Sequence, residues 1–239
     1  MKNSTTFTML KWLDNLSHLL FPETCVACNR QLQHHEGLLC LYCQHDLPYT
    51  NFHDQPTDNP LAKHFWGRVP LQNTAAYLHF SKGGRVQHLI HLLKYKNRPD
   101  IGEAIGKLYG EQLAKISTWQ DIDWVIPVPL HPAKERKRGY NQSDSLAKGL
   151  ANGLHTAWSR DILIRRTYTE SQTRKGRFAR WTNVETVFDL VAPEQIRGKH
   201  LLLVDDVITT GATIEACAAK LLSVDGVRLS VASIACVVK

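Results

Sequence analysis

Apolar residues follow two rhythms along this chain. Leu10, Leu13, Leu16 and Leu20 recur every three or four positions, which predicts an amphipathic helix within residues 1–21. Val86, Leu89, Ile90 and Leu93 keep the same period after Gly83-Gly84 and predict a helix over 85–96. Further helices are predicted from Asp100, as a cap, to about residue 116, over 143–154, and over 212–223. Between them lie largely apolar stretches at 74–80, 123–129, 162–164, 201–204 and 227–238, which read as strands. Strands alternating with helices imply a parallel sheet covered on both faces, with ligands expected beyond the carboxyl ends of its strands. Over residues 44–70 the period is lost, and Pro48, Pro56, Pro60 and Pro70 punctuate a polar stretch. The chain is accordingly divided into a helix (1–21), a cysteine-bearing module (22–47), a linker or crossing segment (48–70) and an α/β domain (71–239).

Composition narrows the class. The 239 residues are 43% hydrophobic and 21% charged, enough for a folded core and unlike a disordered chain. No apolar run reaches the length of a transmembrane segment. Lys11, Asp14, Asn15 and His18 interrupt the N-terminal leucines and no small-x-small cleavage site follows, so a signal peptide is not expected and the cytoplasm is. The N-terminal helix is expected to dock on its own protein, with a membrane surface as the alternative. Lys and Arg exceed Asp and Glu by 29 to 22, which favours an anionic partner such as a phosphate ligand, nucleic acid or an anionic surface.

The cysteines carry more specific chemistry. Cys25 and Cys28, then Cys40 and Cys43, form two C-x-x-C pairs whose spacing suits tetrahedral zinc. Four thiolates leave no coordination position for water, so the zinc is expected to be structural. His34 or His35 replacing a thiolate, and a redox or plain surface role for the cysteines, are the alternatives. Cys217, in an alanine-rich helix, and Cys236, in an apolar strand, read as small core residues.

Residues 201–213 read L-L-L-V-D-D-V-I-T-T-G-A-T. A buried strand leads to Asp205 and Asp206, and Thr209, Thr210, Gly211, Ala212 and Thr213 then open a helix. A helix start offers unpaired N–H groups and the positive end of a dipole to a phosphate. Two carboxylates just before it can accept hydrogen bonds from neighbouring sugar hydroxyls. A ribose 5-phosphate carries both groups. The other reading of the segment is an Asp pair holding magnesium in a different doubly wound fold, which leaves the threonines and the glycine without a role.

This segment closely resembles the ribose-phosphate loop of type I phosphoribosyltransferases. Further matches are F-P-x-x-C at 21–25, L-K-Y at 93–95, I-P-V-P-L-H-P from Ile126, R-x-R-G-Y-N-Q from Arg136, S-Q-T-R from Ser171 and R-x-x-N from Arg180. Together they resemble the ComF family, competence-related proteins with a zinc ribbon ahead of a phosphoribosyltransferase-like domain. The resemblance implies 5-phosphoribosyl 1-diphosphate (PRPP) with magnesium as ligand. It places Asp205 and Asp206 on the ribose hydroxyls and Thr209 to Thr213 on the 5-phosphate. It makes the turn with Pro129 the diphosphate-binding turn, and Arg136, Lys137 and Arg138 part of a flexible loop that brings cations to the leaving diphosphate.

Arg165, Arg166, Arg174, Lys175, Arg177 and Arg180 interleave with Tyr168, Phe178 and Trp181, the composition of a single-strand binder. Arg174, Lys175, Arg177 and Arg180 are its candidate nucleic-acid residues; the alternatives are an ordinary basic loop, or Arg174 and Arg180 folding over the ligand. Two function classes remain. One, implied by the resemblance, is a PRPP-binding protein of DNA uptake and natural transformation, accepting single-stranded DNA and working beside other competence or DNA-processing proteins. The other is a transferase moving ribose 5-phosphate onto a nitrogen acceptor; no acceptor-base pocket is recognisable, while the lack of an obvious nucleophile does not count against a reaction run by positioning and electrostatics.

Overall fold

The computed structural model describes residues 23–33, 35–166 and 187–238. The predicted N-terminal helix, His34 and the candidate nucleic-acid residues Arg174, Lys175, Arg177 and Arg180 lie outside them. The chain divides into two compact units, the first ending at Leu47 and the second starting at Pro48.

In the first unit, antiparallel pairing of Thr24 with Gln31 closes a turn in which Asn29 takes a positive φ of 59°. Val26 N–H donates to the Leu38 carbonyl at 3.0 Å and brings the second cysteine pair alongside the first. Helix α1 (Leu41–Asp46) starts at Cys40, and the Glu36 carboxylate accepts from the Gln33 and Leu41 N–H groups at 2.8 and 2.7 Å.

The second unit is an α/β domain. Its elements are α2 (Pro60–Phe65), β1 (Thr74–His79), α3 (Arg85–Tyr95), α4 (Pro99–Leu113), β2 (Trp124–Pro127), α5 (Pro132–Arg138), α6 (Gln142–Leu154), β3 (Ala157–Trp158), β4 (Leu163–Arg165), β5 (Phe188–Leu190), β6 (His200–Ile208), α7 (Ala212–Leu221) and β7 (Arg228–Cys236). Five strands form a parallel sheet in the order β1-β7-β6-β2-β3, while β4 and β5 pair antiparallel as a separate ribbon. Leu201, Leu202, Leu203 and Val204 are fully buried, as a central parallel strand requires.

Connections from β1 to β2 and from β2 to β3 run one way across the sheet, and that from β6 to β7 runs the other way. Right-handed crossovers therefore put α4 and α6 on one face and α7 on the opposite face. The direction reverses between β2 and β6, so the connections leaving their carboxyl ends run to opposite faces of the sheet and leave a crevice between them.

Helices α4 and α6 pack unusually closely because glycines face each other. A Cβ at Gly149 would stand 2.2 Å from the Glu103 carbonyl oxygen, and one at Gly106 would stand 2.6 Å from that of Leu146. This spacing of Gly102, Gly106 and Gly110 against Gly149 and Gly153 is visible in the sequence once it is known that the two helices cross.

Several boundaries differ from the sequence expectation. Strand β6 continues through Asp205 and Asp206 to Ile208, because pairing with β7 extends to Ile208 opposite Cys236. Segment 48–70 is structured: it contains a single helical turn at Phe52–Asp54 and helix α2, with Leu61 and Phe65 each 1% exposed. Its cap is Asn59, whose side chain accepts from Ala62 N–H at 2.9 Å and donates to the Thr74 carbonyl at 2.7 Å. Asp100 lies in the first turn of α4, which starts with Pro99 after Arg98 and ends at Leu113.

Candidate functional site

The crevice between β2 and β6 gathers the candidate residues from the Asp-Asp segment and from the turn after Pro127. Asp206 is 4% exposed, and its carboxylate forms a 2.7 Å ion pair with Lys94 Nζ at the end of α3. Asp205 Oδ1 accepts from its neighbour's N–H at 2.8 Å and from Ser143 Oγ, in the first turn of α6, at 3.1 Å. Burial, and then the charge of Asp206, push the Asp205 carboxyl up to about 7, against the opposing pull of the Asp206 N–H, Lys94 and Ser143. The pair is thus held by a cation on one carboxylate and by neutral donors on the other.

Past Asp206, Thr209 and Thr210 are exposed and Gly211 begins α7 with φ 75°. Only glycine suits this position, since a Cβ would lie 2.7 Å from the Phe65 ring. His64 Nε2 donates to the Thr210 carbonyl at 2.9 Å, and Arg68 donates to the His64 carbonyl at 3.2 Å and pairs with Glu215 of α7. Helix α2 therefore braces the loop from behind. Ala212 and Thr213 stand exposed at the start of the ten-residue α7, where free N–H groups point outward.

On the other side of the crevice, Val128 N–H donates to the Val204 carbonyl at 2.9 Å, and the buried Asn141 amide donates to the Val128 carbonyl at 3.1 Å. Asn141 also caps α6, its Oδ1 accepting from Ser143 N–H at 3.2 Å. One residue thereby fixes the turn containing Pro129 and the helix that supplies Ser143.

Arg136, Lys137 and Arg138, expected on a flexible loop, form the last turn of α5. The reason is local. His131 Nδ1 accepts from Ala133 N–H at 3.1 Å, Pro132 occupies the first turn, and Gly139 ends the helix in the left-handed region at φ 90°. Arg160, two residues past β3, ties α5 to α6 by ion pairs to Glu135 of α5 at 2.6 Å and Asp144 of α6 at 3.2 Å. Arg136 and Lys137 are exposed, whereas Arg138 bonds Gln142 and lies over the Tyr95 ring.

In the first unit, the four Sγ atoms of Cys25, Cys28, Cys40 and Cys43 lie within 4.8 Å of one another. A tetrahedral zinc with Zn–S bonds of about 2.3 Å sets sulfurs roughly 3.8 Å apart, and Cys28 and Cys40 are separated by 3.7 Å. Burial raises the Cys25 thiol, but N–H groups of Cys40, Ala27 and Cys28 outweigh it and bring it down to about 7, towards the thiolate a metal needs. Cys40 N–H donates to Cys25 Sγ at 3.4 Å and Cys43 N–H to Cys40 Sγ at 3.5 Å. The cluster is consistent with a structural zinc site. His35 is exposed and outside the cluster. Cys217 and Cys236 are buried at 0% and 1%, and burial raises both thiols.

Lys94, Ser143, Asn141 and the His64–Phe65 brace were not singled out as site residues in the sequence. The L-K-Y and Y-N-Q motifs contain Lys94 and Asn141, and Ser143 directly follows the second; nothing in the composition of 48–70 marks the last.

No family model matches the chain. Curated proteins similar to it include DNA utilization protein YhgH of Escherichia coli strain K12, 31% identical over 201 residues and covering 83% of each chain. Competence protein F of Haemophilus influenzae is 26% identical over 219 residues, 90% of each chain. Competence protein ComFC of Bacillus subtilis is 28% identical over 163 residues, 68% of this chain and 62% of that protein. Among solved structures, glutamine phosphoribosylpyrophosphate amidotransferase from B. subtilis aligns with 59% of this chain and 30% of its own at 22% identity and TM-score 0.41. A hypoxanthine phosphoribosyltransferase from Staphylococcus aureus aligns with 56% of this chain and 62% of its own at 20% identity and TM-score 0.35.

Proposed function

The chain belongs to the ComF family, and on that premise we propose that it binds PRPP or a related ribose phosphate and handles single-stranded DNA during DNA uptake. The observation that carries the ligand is the Asp205–Asp206 pair in the crevice between β2 and β6, followed directly by Thr209 to Thr213 at the start of α7. Carboxylates accept from a diol; free N–H groups and hydroxyls donate to a phosphate. Lys94 pairs with the Asp206 carboxylate at 2.7 Å and fixes it within the crevice. Pro129 and the cations Arg136, Lys137 and Arg138 supply the diphosphate side of the reading. Magnesium, bound with PRPP, would sit on the hard oxygens of the diphosphate and offset its charge. Zinc on Cys25, Cys28, Cys40 and Cys43 supplies the fold of the N-terminal unit.

Titration calorimetry with PRPP and magnesium tests the ligand. Asp206→Asn removes a charged acceptor worth roughly 1.5–3 kcal/mol, so affinity is expected to fall about tenfold or more. Equal PRPP affinity in wild type and an Asp206→Asn, Thr210→Val double variant contradicts the site.

For DNA, fluorescence anisotropy across a salt series is decisive. Each phosphate neutralised on a single strand contributes about 0.7 to the log–log slope, so removing Arg174 and Arg177 together is expected to flatten it by up to about 1.4. An unchanged slope and affinity removes that stretch from the DNA site. Absence of strand binding at low salt, with PRPP turned over in the presence of a nitrogen acceptor, favours the transferase instead.

A further inference from the structure

We infer that Tyr95, flanked by Arg138, Lys96 and Lys134, is a base-stacking platform for single-stranded DNA. The inference rests on the proposed handling of single strands and gives it a place beside the ribose-phosphate crevice.

Tyr95 is the last residue of α3. The two positions before it are fixed inward: Leu93 is fully buried with its carbonyl accepting from the Tyr140 hydroxyl, and Lys94 reaches Asp206. The helix end therefore cannot rotate to hide the next side chain. Tyr95 is 67% exposed, more than any other large apolar side chain among the described residues.

A lone exposed aromatic is ordinary. The surroundings of this one are not those of an apolar contact. The Arg138 guanidinium, from α5, lies 5.8 Å from the ring centre, and the His91 ring lies 5.0 Å away, tilted by 43°. A guanidinium against an aromatic face is a cation–π arrangement that also stacks readily on bases. Lys96 follows Tyr95, and Lys134 precedes Arg138 by four residues on the same face of α5. Both lysines are exposed and have no carboxylate partner among the described residues. The nearest acids in sequence are already engaged, Asp100 by Arg98 and Glu135 by Arg160. The surface around the ring thus keeps its positive charge.

An aromatic plane beside uncompensated cations matches the two chemistries of a single strand, a base face and a phosphate backbone. A free base would use the ring and leave the lysines without a role, so the strand is the occupant.

The test uses the full chain, a labelled thymidine homo-oligomer and anisotropy across a salt series. Tyr95→Ala is expected to weaken binding about fivefold or more with the salt slope unchanged, and Tyr95→Phe to retain wild-type affinity. Lys96→Gln with Lys134→Gln is expected to keep stacking but flatten the slope by up to about 1.4. Unchanged affinity in Tyr95→Ala while the wild type binds overturns the platform and leaves DNA handling standing. Free thymidine binding through Tyr95, with no Tyr95 effect on the oligomer, overturns the strand assignment in favour of a free base. No binding by the wild type overturns both the platform and the reading beneath it.

Discussion

Removing zinc from the four-cysteine unit is expected to unfold residues 23–47. Apart from Cys25, Cys40 and Cys43, the buried apolar side chains among the described residues of this unit are Val26, Ala27, Leu39 and Leu47. So few cannot offset the entropy of ordering the segment. Structural zinc contributes on the order of 10 kcal/mol or more in comparable modules, and here it would supply most of the driving force. Elemental analysis is expected to find one zinc per chain in protein purified without chelator. Chelation is expected to abolish amide exchange protection at Val26 and Leu47, whose N–H groups bond Leu38 and Cys43 at 3.0 and 3.1 Å. Cys43→Ser is expected to act like chelation, since it removes one thiolate from the set. Metal-free protein with freely titratable thiols and intact protection at these amides contradicts the assignment.

How much of this was legible in the sequence depended on whether the interaction was local. The cysteine pairs and the Asp-Asp-to-threonine segment are contiguous, so residue type and spacing state their chemistry directly. The parallel sheet was legible from alternation, because a buried strand must be apolar on both faces. The carboxyl end of β6 was not: Val207 and Ile208 continue the strand only because β7 lies alongside, and register is a property of the pair. The α5 helix was missed for the opposite reason. The family resemblance implied a flexible loop there, while the helix's determinants, the His131 cap and the Gly139 termination, are single residues at its ends. The Lys94–Asp206 pair spans 112 positions and no local pattern states it. Similarly, the short α2 carries too few turns to show a period, although Asn59-Pro60 marks its start.

Ribose-phosphate affinity is expected to rise steeply with pH up to neutrality, and Asp205 is the reason. Burial and the Asp206 charge place its pKa near 7, far above the usual carboxylate range. A diol donates two hydrogen bonds and is best accepted by two ionised carboxylates. Below neutrality Asp205 carries a proton, and binding must first release it. Affinity for ribose 5-phosphate should therefore climb about tenfold per unit up to pH 7 and flatten above, about 90-fold between pH 5 and 8. This corresponds to about 2.7 kcal/mol. The ligand's own phosphate ionises near pH 6, so the slope is read as the difference between wild type and Asp205→Asn. Protein stability without ligand should move the other way. Between about pH 4 and 7 the unfolded chain has released this proton and the folded chain still holds it, so unfolding becomes easier as pH rises. Urea titrations at pH 5 and 7.5 should show this loss in wild type, and a smaller one in Asp205→Asn. If both proteins show the same affinity profile from pH 5 to 8, release of a proton from Asp205 is not coupled to ribose-phosphate binding.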